Sequence, residues 1–412
     1  MRILVYGINY APELTGIGKY TAEMCEWLTG NGHEVKVICA PPYYPAWKVA
    51  DGYSPTGYSR ERLNNVAILR CPLWVPARQS AIRRILHLVS FATSSLPIIL
   101  GTALTWRPQV VFVVEPPFFC TPAALLAARL AGAKSWLHIQ DLEIDAAFAL
   151  GLIRTPLLKS LLGGMERFIM GMFDRVSAVS RSMLDNIRRK GVGSDFSGFF
   201  PNWVDSDAIY PILGRSMLRD EWGIARDSIV VLYSGNMGEK QGLEILVEAA
   251  RILASEKRIL FVVSGDGASR QRLETSATVL DNIRFTPLQP ASRLNELLNL
   301  ADIHILPQRA DVASLVMPSK LLGMLASGRP VVATATADSE LAGIVSRCGV
   351  VVPPGEALGM AMALRSLAHD PEQRSRLGVA ARALCVEEWD CGCVFADFER
   401  QLKFLSGGRC DA

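Results

Sequence analysis

Residues 229–244 read IVVLYSGNMGEKQGLE, and this stretch decides the fold class of the chain. The apolar run Ile229–Ser234 is short and continuous, as in a strand buried on both faces of a parallel sheet. A glycine-rich turn and the helical pattern Leu243–Ala254 follow it, which completes one βα unit. Backbone N–H groups at such a helix start attract anions, and Lys240 adds a positive charge. The alternative is that Lys240 is a solvated loop residue.

The same alternation of strands and helices extends over the whole chain. The strands predicted before residue 205 are Ile3–Gly7, Val35–Cys39, Val66–Cys71, Val110–Val114, Ser135–Ile139 and Asp174–Ala178. Those predicted after Ile229–Ser234 are Ile259–Ser264, Ile283–Pro287, Ile303–Pro307, Pro330–Thr334 and Val350–Val352. This order indicates an α/β protein with two Rossmann-like, doubly wound parallel sheets that face a cleft. We expect domains over 1–205 and 206–385, and a helix in 386–412 that returns to the first domain.

The charge of the chain is unevenly distributed. The 412 residues are 50% apolar and 20% charged, as in an ordinary globular protein, and the net charge of +3 does not favour nucleic-acid binding. Residues 1–205 carry 21 Lys and Arg against 15 Asp and Glu, a net charge of +6, whereas the remainder has a net charge of −3. The basic first half indicates an anionic surface or substrate on that side.

The cysteines and the N-terminus indicate a cytoplasmic protein. Nine cysteines are scattered without a C-x-x-C pair, so we interpret them as reduced thiols rather than as a disulfide or metal framework. The first residues, MRILVYG, lack the regions of a secretory signal and are typical of a buried first strand.

One segment is apolar enough to contact lipid. Ile85–Trp106 contains no charged residue over 22 positions, which is long enough to span a bilayer. The pattern from Ile82 to Pro97 is that of an amphipathic helix, and Arg78, Arg83 and Arg84 lie at or before its start. Three interpretations stay open: a packed helix, an interfacial helix on the membrane, and a true span.

Two more glycine turns carry candidate anion-binding residues. Residues 7–20 read GINYAPELTGIGKY, and Gly16 and Gly18 open a helix there. The turn fits neither a dinucleotide fingerprint nor a P-loop, so the alternative is a plain βα turn. Ser264-Gly265-Asp266-Gly267 is a further turn at a strand end.

A fourth stretch, MPSKLLGMLASGRPVVA over residues 317–333, begins with a helix start. Pro318 can open this helix, which leaves Ser319 and Lys320 in a first turn whose N–H groups are free. A nucleotide diphosphate would fit there.

Several of these segments together resemble the GT-B glycosyltransferases of family 4. The stretches that resemble the family motifs are DRVSAVS (174–180), FPNWVD (200–205) and GRPVVA (328–333). The stretches YGINYAPELTGIGKY, APPYYPAWKV and LHIQDLEIDA are similar to a branch that makes colanic-acid-like exopolysaccharide. The resemblance implies a retaining transferase that needs no metal or cofactor. It also implies sugar transfer, L-fucose from GDP-fucose, to a polyprenyl-linked oligosaccharide at the inner membrane face.

The resemblance also implies which residues form the site. On the donor side we expect Gly16, Gly18, Gly235, Asn236, Lys240, Gln241, Gly265, Ser319 and Lys320. On the acceptor side we expect Glu13, His138 and Asp141. Lys240, Asp141 and Glu143 are the candidate catalytic residues. Asp205-Ser206-Asp207 has the spacing of a metal triplet, but it lies in the linker and is interpreted as a helix cap.

The sequence departs from the family pattern at three places. The carboxylates of the usual E-x7-E pair are replaced by Leu315 and Gly323, and the usual arginine after the glycine of the second-domain turn is Asn236. The usual His-Asp after the strand at 135–139 is Gln140-Asp141. Two other functions therefore stay open, a non-catalytic scaffold of a polysaccharide assembly complex and a sugar-nucleotide epimerase.

Overall fold

The computed structural model describes residues 1–13, 16–78, 80–142, 155–309 and 318–407, and for residues 81, 156–159 and 240 the backbone alone. It contains two compact units. Unit 1 is Met1–Asn202 with the C-terminal segment that begins at Phe395, and unit 2 is Trp203–Val394. The borders expected from the sequence were 205 and 385, and the observed divisions follow residues 202 and 394.

Unit 1 is built on an eight-stranded sheet. Its strands are β1 (Arg2–Tyr6), β2 (Glu34–Cys39), β3 (Ser59–Leu63), β4 (Val66–Arg70), β5 (Val110–Glu115), β6 (Lys134–Ile139), β7 (Arg175–Ala178) and β8 (Ser197–Phe199). Their order across the sheet is β3-β4-β2-β1-β5-β6-β7-β8. All neighbours are parallel except β3, which runs antiparallel to β4. The helices of this part of the chain are α1 (Ile17–Gly30), α2 (Ala81–Trp106), α3 (Thr121–Ala131), α4 (Pro156–Met170) and α5 (Arg181–Arg189).

Unit 2 is built on a six-stranded sheet in which every neighbouring pair is parallel. Its strands are β9 (Ile229–Ser234), β10 (Ile259–Ser264), β11 (Ile283–Thr286), β12 (Ile303–Leu306), β13 (Val331–Thr334) and β14 (Gly349–Val352). Their order is β11-β10-β9-β12-β13-β14. The helices are α6 (Met217–Glu221), α7 (Glu244–Ile252), α8 (Arg270–Ser276), α9 (Leu294–Leu298), α10 (Lys320–Ala326), α11 (Glu340–Val345), α12 (Ala357–His369) and α13 (Pro371–Glu388).

The predicted fold class is confirmed, because both units are doubly wound parallel sheets. Two strands of unit 1 were not predicted. The strand β3 has the polar sequence SRERL and lies at the sheet edge, where alternate burial is not required, and β8 is only three residues long. Neither carries the continuous apolar run that marks the buried strands.

The last helix, α14 (Cys391–Leu405), packs onto the aromatic core of unit 1 from Phe395 onward. Phe398 stacks on Phe200 with ring centroids 4.3 Å apart and meets the edge of Trp136 at 5.2 Å. Trp27 of α1 stacks on Phe395 at 5.0 Å. Aromatic pairs in these arrangements add about 0.5–1.5 kcal/mol each beyond their buried area, so the C-terminal segment is an integral part of unit 1.

The apolar helix α2 packs one face on the core of unit 1. Phe91, Ile99 and Ala103 are fully buried, and the buried Ser95 hydroxyl lies 2.6 Å from the hydroxyl of Tyr6. Ile82 remains 72% exposed. Among the described helices, α2 alone is long and apolar enough to cross a membrane, and about a third of its apolar window is buried in the protein.

Candidate functional site

Two glycine turns of unit 2 lie backbone against backbone at the carboxyl edge of the sheet. Gly235 follows β9 and Gly265 follows β10, with φ of 130° and 146°. A Cβ atom on Gly265 would lie 2.0 Å from the carbonyl oxygen of Gly235, and one on Gly267 would lie 2.6 Å from Oδ1 of Asn236. Only glycine allows both this backbone conformation and this approach. We call Gly235, Asn236, Gly265 and Gly267, together with Lys320, the glycine cradle.

Lys320 brings a positive charge into the glycine cradle from the first turn of α10. Its Nζ donates a hydrogen bond to the hydroxyl of Tyr233 at 2.6 Å and lies 4.5 Å from the centroid of that ring. The Lys320 side chain would leave no room for a Cβ atom on Gly235, since Cε would be 2.5 Å away. Burial lowers the pKa of Lys320 to about 8. Within the described part of the chain, no carboxylate forms an ion pair with this ammonium group.

Tyr233 fixes the position of Lys320. Its hydroxyl accepts the hydrogen bond from Lys320 and donates one to the carbonyl oxygen of Asn236 at 2.6 Å. The phenol is 1% exposed, and burial raises its pKa, so it stays neutral. Tyr233 therefore holds the ammonium group at the turn without neutralising its charge.

Most of the predicted donor residues of unit 2 lie in or beside the glycine cradle. A Cβ atom on Gly238 would lie 2.9 Å from Oε1 of Gln241 and 3.4 Å from Nδ2 of Asn236. These two side chains therefore flank the turn after Gly235. Ser319 directly precedes Lys320, and Lys240 lies in the 3-10 turn Glu239–Gln241, where its side chain is outside the described atoms.

The glycine turn of unit 1 has a different surrounding. Glu13 is 5% exposed, and its carboxylate accepts hydrogen bonds from the backbone N–H groups of Tyr43 and Tyr44, both at 3.0 Å, and from Nδ2 of Asn9 at 2.9 Å. A Cβ atom on Gly18 would lie 2.7 Å from Oε2 of Glu13. The start of α1 therefore packs against a carboxylate of the chain itself, so Gly18 and Glu13 hold the loop together. Burial raises the pKa of Glu13, against the effect of its hydrogen-bond donors.

His138 lies in the core of unit 1. Its ring centroid is 4.8 Å from that of Phe200, and its Nδ1 lies 2.9 Å from the hydroxyl of Ser177. Burial lowers its pKa to about 3, so the imidazole is neutral. Nε2 of Gln140 lies 3.0 Å from Nε2 of His138 and 3.1 Å from Oδ1 of Asn202, so this amide covers the second ring nitrogen of His138. The candidate catalytic residue Glu143 lies outside the described residues.

A cavity of about 210 Å³ opens in unit 1 beside Gly16 and Asp141. It is lined by Ile8, Asn9, Gly16, Ile17, Tyr43, Tyr44, Trp47, Arg84, His87, Leu88, Pro116 and Asp141. We call it the aromatic cavity, because the rings of Tyr43, Trp47 and His87 lie 4.8–5.6 Å from one another. The sequence-based site contained Gly16 and Asp141 but not Trp47, Arg84 or His87. The aromatic and proline-rich stretch PPYYPAW was the available signal.

Comparison with known proteins assigns the chain to a family. Residues 15–203 match the family described as "Glycosyl transferase 4-like domain", and residues 228–370 match "Glycosyl transferases group 1". WcaI of Escherichia coli K12, named as a glycosyl transferase of colanic acid biosynthesis, is 44% identical over 83% of this chain and 85% of its own. The chain belongs to the family 4 glycosyltransferases.

Solved structures share the fold of this glycosyltransferase. Sucrose-phosphate synthase from Thermosynechococcus elongatus superposes with a TM-score of 0.77 at 15% identity, over 98% of both chains. HepE of Anabaena, solved in complex with UDP-glucose, superposes with a TM-score of 0.68 at 14% identity, over 98% of this chain and all of its own. The GT-B architecture is therefore confirmed.

The structure describes one position of the missing E-x7-E pair and the D-x-D triplet. Gly323, which replaces a carboxylate, lies in α10, and a Cβ atom there would contact Leu298 at 3.2 Å. Leu315, the other replacement, is outside the described residues. Asp205 of the D-x-D triplet accepts N–H groups from Asp207 and Ala208 at 2.9 Å, as a turn cap does. No group of three or more metal-ligating side chains occurs in the described ranges.

Proposed function

We propose that this glycosyltransferase moves a sugar from a nucleotide diphosphate to a lipid-linked saccharide, with retention of configuration and without a metal ion. The leading donor is GDP-L-fucose, the leading acceptor is a polyprenyl-linked oligosaccharide, and the product is a colanic-acid-like exopolysaccharide. The similarity to WcaI over most of both chains supports the exopolysaccharide role. The observation that carries the proposal is the partly buried ammonium group of Lys320 in the glycine cradle.

The glycine cradle provides what a departing diphosphate requires. When the bond between the anomeric carbon and the diphosphate oxygen breaks, negative charge grows on that oxygen. Charged donors held rigidly in place stabilise such charge more than mobile water does. Lys320 is already partly desolvated and is fixed by Tyr233, so little reorganisation is needed when the charge develops. Lys240 would supply a second cation from the neighbouring turn, and Asp141 and Glu143 would act on the acceptor side.

We also propose that the protein is cytoplasmic and attaches peripherally to the inner membrane through the start of α2. Ile82, Ile85 and Leu86 are all more than half exposed there, and Arg83 and Arg84 lie beside them. Apolar side chains next to cations suit an interface that contains anionic lipid.

The test of attachment is flotation with liposomes of neutral lipid alone or with one-third anionic lipid. We expect binding to the anionic liposomes, weakened by high salt, and its loss in the triple variant Ile82→Ser, Ile85→Ser, Leu86→Ser. Val279→Ser, in unit 2 and also exposed, is the matched control. Equal binding of the wild-type protein and the triple variant would contradict this attachment.

The test of the reaction is incubation with GDP-fucose, GDP-mannose or UDP-glucose and a bacterial lipid extract. Transfer of label to lipid supports a glycosyltransferase, and formation of an isomerised nucleotide sugar would instead indicate an epimerase. Nucleotide-sugar binding without turnover would indicate a scaffold. The scaffold is a candidate because Gly323 replaces the usual carboxylate.

A further inference from the structure

We infer that the aromatic cavity of unit 1 binds a neutral pyranose ring of the acceptor, and that a ring hydroxyl donates a hydrogen bond to Nε2 of His87. This inference rests on the proposed transfer to a saccharide and names the residues that select that saccharide. Five observations on the cavity carry it.

The first observation is the size of the aromatic cavity. Its volume of about 210 Å³ is below the roughly 300–1,000 Å³ typical of pockets for drug-sized ligands. One sugar ring is therefore an appropriate occupant, and a whole oligosaccharide or nucleotide is not.

The second observation is the chemistry of the cavity wall. Tyr43 and Trp47 present aromatic rings, with centroids 5.6 Å apart, and Trp47 is only partly buried. A pyranose has a face of C–H groups and a rim of hydroxyls. An aromatic wall with a few polar atoms matches both parts, because the C–H face packs on the rings while the hydroxyls find hydrogen-bond partners.

The third observation is the orientation of His87. Its Nδ1 lies 2.7 Å from the carbonyl oxygen of Trp74. A carbonyl only accepts hydrogen bonds, so Nδ1 carries the proton and Nε2 presents a lone pair. The ring of Tyr43 lies 4.8 Å from this imidazole and that of Trp47 lies 5.3 Å away, which fixes the ring in place.

The fourth observation is that Nε2 of His87 is buried and has no hydrogen-bond partner in the described part of the chain. His87 is 1% exposed and lines the cavity. A buried acceptor without a partner costs about 1–3 kcal/mol, which a ligand hydroxyl would recover. Burial and the nearby Arg84 also lower the pKa of His87, which keeps the ring neutral.

The fifth observation is the pair of charged residues that line the same cavity. Arg84 is exposed and precedes His87 by three residues on α2, and Asp141 follows the end of β6. Arg84 cannot replace His87 as an acceptor, because a guanidinium group has no lone pair to offer a hydroxyl, whereas the carboxylate of Asp141 can accept a hydrogen bond from a second hydroxyl. The cavity therefore places the neutral acceptor of His87 among aromatic rings, and Asp141 adds a carboxylate to its lining.

Two substitutions at His87 separate a ligand contact from a structural role. Asparagine can keep the hydrogen bond to Trp74 but has no atom at the Nε2 position. Glutamine can place an oxygen near the Nε2 position but gives up the bond to Trp74. If His87 binds a hydroxyl, His87→Gln retains sugar binding and His87→Asn loses it. If His87 only anchors the loop, the order is reversed.

The experiment uses saturation-transfer NMR on the full chain with GDP present. The probes are methyl glucoside, galactoside and fucoside in both anomeric forms, with methyl glucuronide as the charged control. We expect at least one neutral pyranoside to bind to the wild type. We expect its affinity to fall about tenfold or more in His87→Asn and by a smaller factor in His87→Gln. The unfolding midpoint and the affinity for GDP are measured on every variant.

Two results would overturn the inference. One is the absence of binding by any neutral pyranoside while GDP binds normally, and the other is an equal effect of both substitutions or the reverse order. A failure of the proposed function has a different signature, since the protein would then bind no nucleotide diphosphate or would not turn over the donor. Pyranoside binding that depends on His87 would still support the cavity assignment in that case.

Discussion

The glycine turn of unit 1 and the glycine turn of unit 2 share a strand-to-helix geometry, but side chains of opposite type lie against them. Each connects the first strand of its unit to a helical segment at the carboxyl edge of a parallel sheet. In unit 1 a carboxylate of the chain, Glu13, lies against Gly18 at the start of α1. In unit 2 the ammonium group of Lys320 lies against Gly235. In unit 1 the turn is therefore filled by a carboxylate of the chain itself. In unit 2 the turn presents a positive charge to which a ligand anion can bind.

This difference teaches how to interpret a glycine-rich turn. Glycine spacing indicates that another group can approach the backbone of the turn closely, but it does not identify that group. The charge of the side chain that reaches the turn decides whether the turn can bind a ligand anion. Glu13 comes from the same loop as its glycines, whereas Lys320 comes from a helix 85 residues further along the chain than Gly235.

The largest expected effect is the loss of kcat/KM when the charge of Lys320 is removed from the unit 2 turn. Lys320→Met keeps the length of the side chain and removes its charge, so kcat/KM for the donor should fall by about 100-fold or more. The matched control is Lys257→Met, an exposed lysine of the same unit, which should leave kcat/KM unchanged. Initial rates of transfer at subsaturating donor measure both. A Lys320→Met enzyme with wild-type kcat/KM would remove Lys320 from the site.

The close approach of the two unit 2 turns should be intolerant of a methyl group. Gly265→Ala places Cβ 2.0 Å from the carbonyl oxygen of Gly235 at a φ of 146°. We expect the free energy of unfolding to fall by about 2–3 kcal/mol and donor binding to weaken. Gly343→Ala, in α11 with open space around it, should raise the free energy of unfolding by about 0.5–1 kcal/mol. Chemical denaturation checks both values, and equal effects would contradict the packing described.

The unit 1 turn should respond in stability rather than in donor binding. Glu13→Ala leaves the buried N–H group of Tyr43 and the partly buried N–H group of Tyr44 without their acceptor. We expect the free energy of unfolding to fall by about 2 kcal/mol. The affinity for the nucleotide should stay at the wild-type value. Glu23→Ala, which breaks an exposed pair with Lys19, should change stability by less than about 0.5 kcal/mol. A large loss of nucleotide affinity in Glu13→Ala would mean that the unit 1 turn binds the donor after all.

The smallest expected effect near neutral pH is the pH dependence of kcat/KM that Lys320 of unit 2 causes. The lowered pKa of Lys320, about 8, means that the free enzyme loses this charge as the pH rises through that value. Above it, kcat/KM for the donor should fall up to tenfold for each pH unit, because the neutral amine no longer attracts the diphosphate. In Lys320→Met the alkaline decline should be absent. A wild-type profile that stays flat to pH 10 would contradict the assignment.

The sequence carried most of the fold and part of the site. Twelve strands could be located because most of them are short apolar runs that alternate with helical patterns, and Ile229–Ser234 and Ile259–Ser264 match the observed bounds. The glycine turns and the family resemblance together predict Gly235, Asn236, Gln241, Gly265 and Lys320 as donor-side residues. The edge strand β3 was missed because an edge strand can be polar on most positions.

The rest could not be predicted because it depends on long-range contacts. The buried carboxylate of Glu13 accepts a hydrogen bond from an N–H group 30 residues away, and no local pattern signals this contact. His138 and His87 are both isolated histidines in the sequence. Only the fold shows that His138 is satisfied by Ser177 and Gln140, whereas Nε2 of His87 has no partner in the described part of the chain.

The central claim is that Lys320 in the glycine cradle binds the diphosphate of the donor. Calorimetric titration of the wild type and of Lys320→Met with guanosine, GMP and GDP tests it most directly, with the uridine series in parallel. We predict that affinity rises with each phosphate in the wild type, and that Lys320→Met lowers diphosphate affinity at least about tenfold while leaving nucleoside affinity unchanged. Equal diphosphate affinity in the two proteins, with intact folding, would contradict the account.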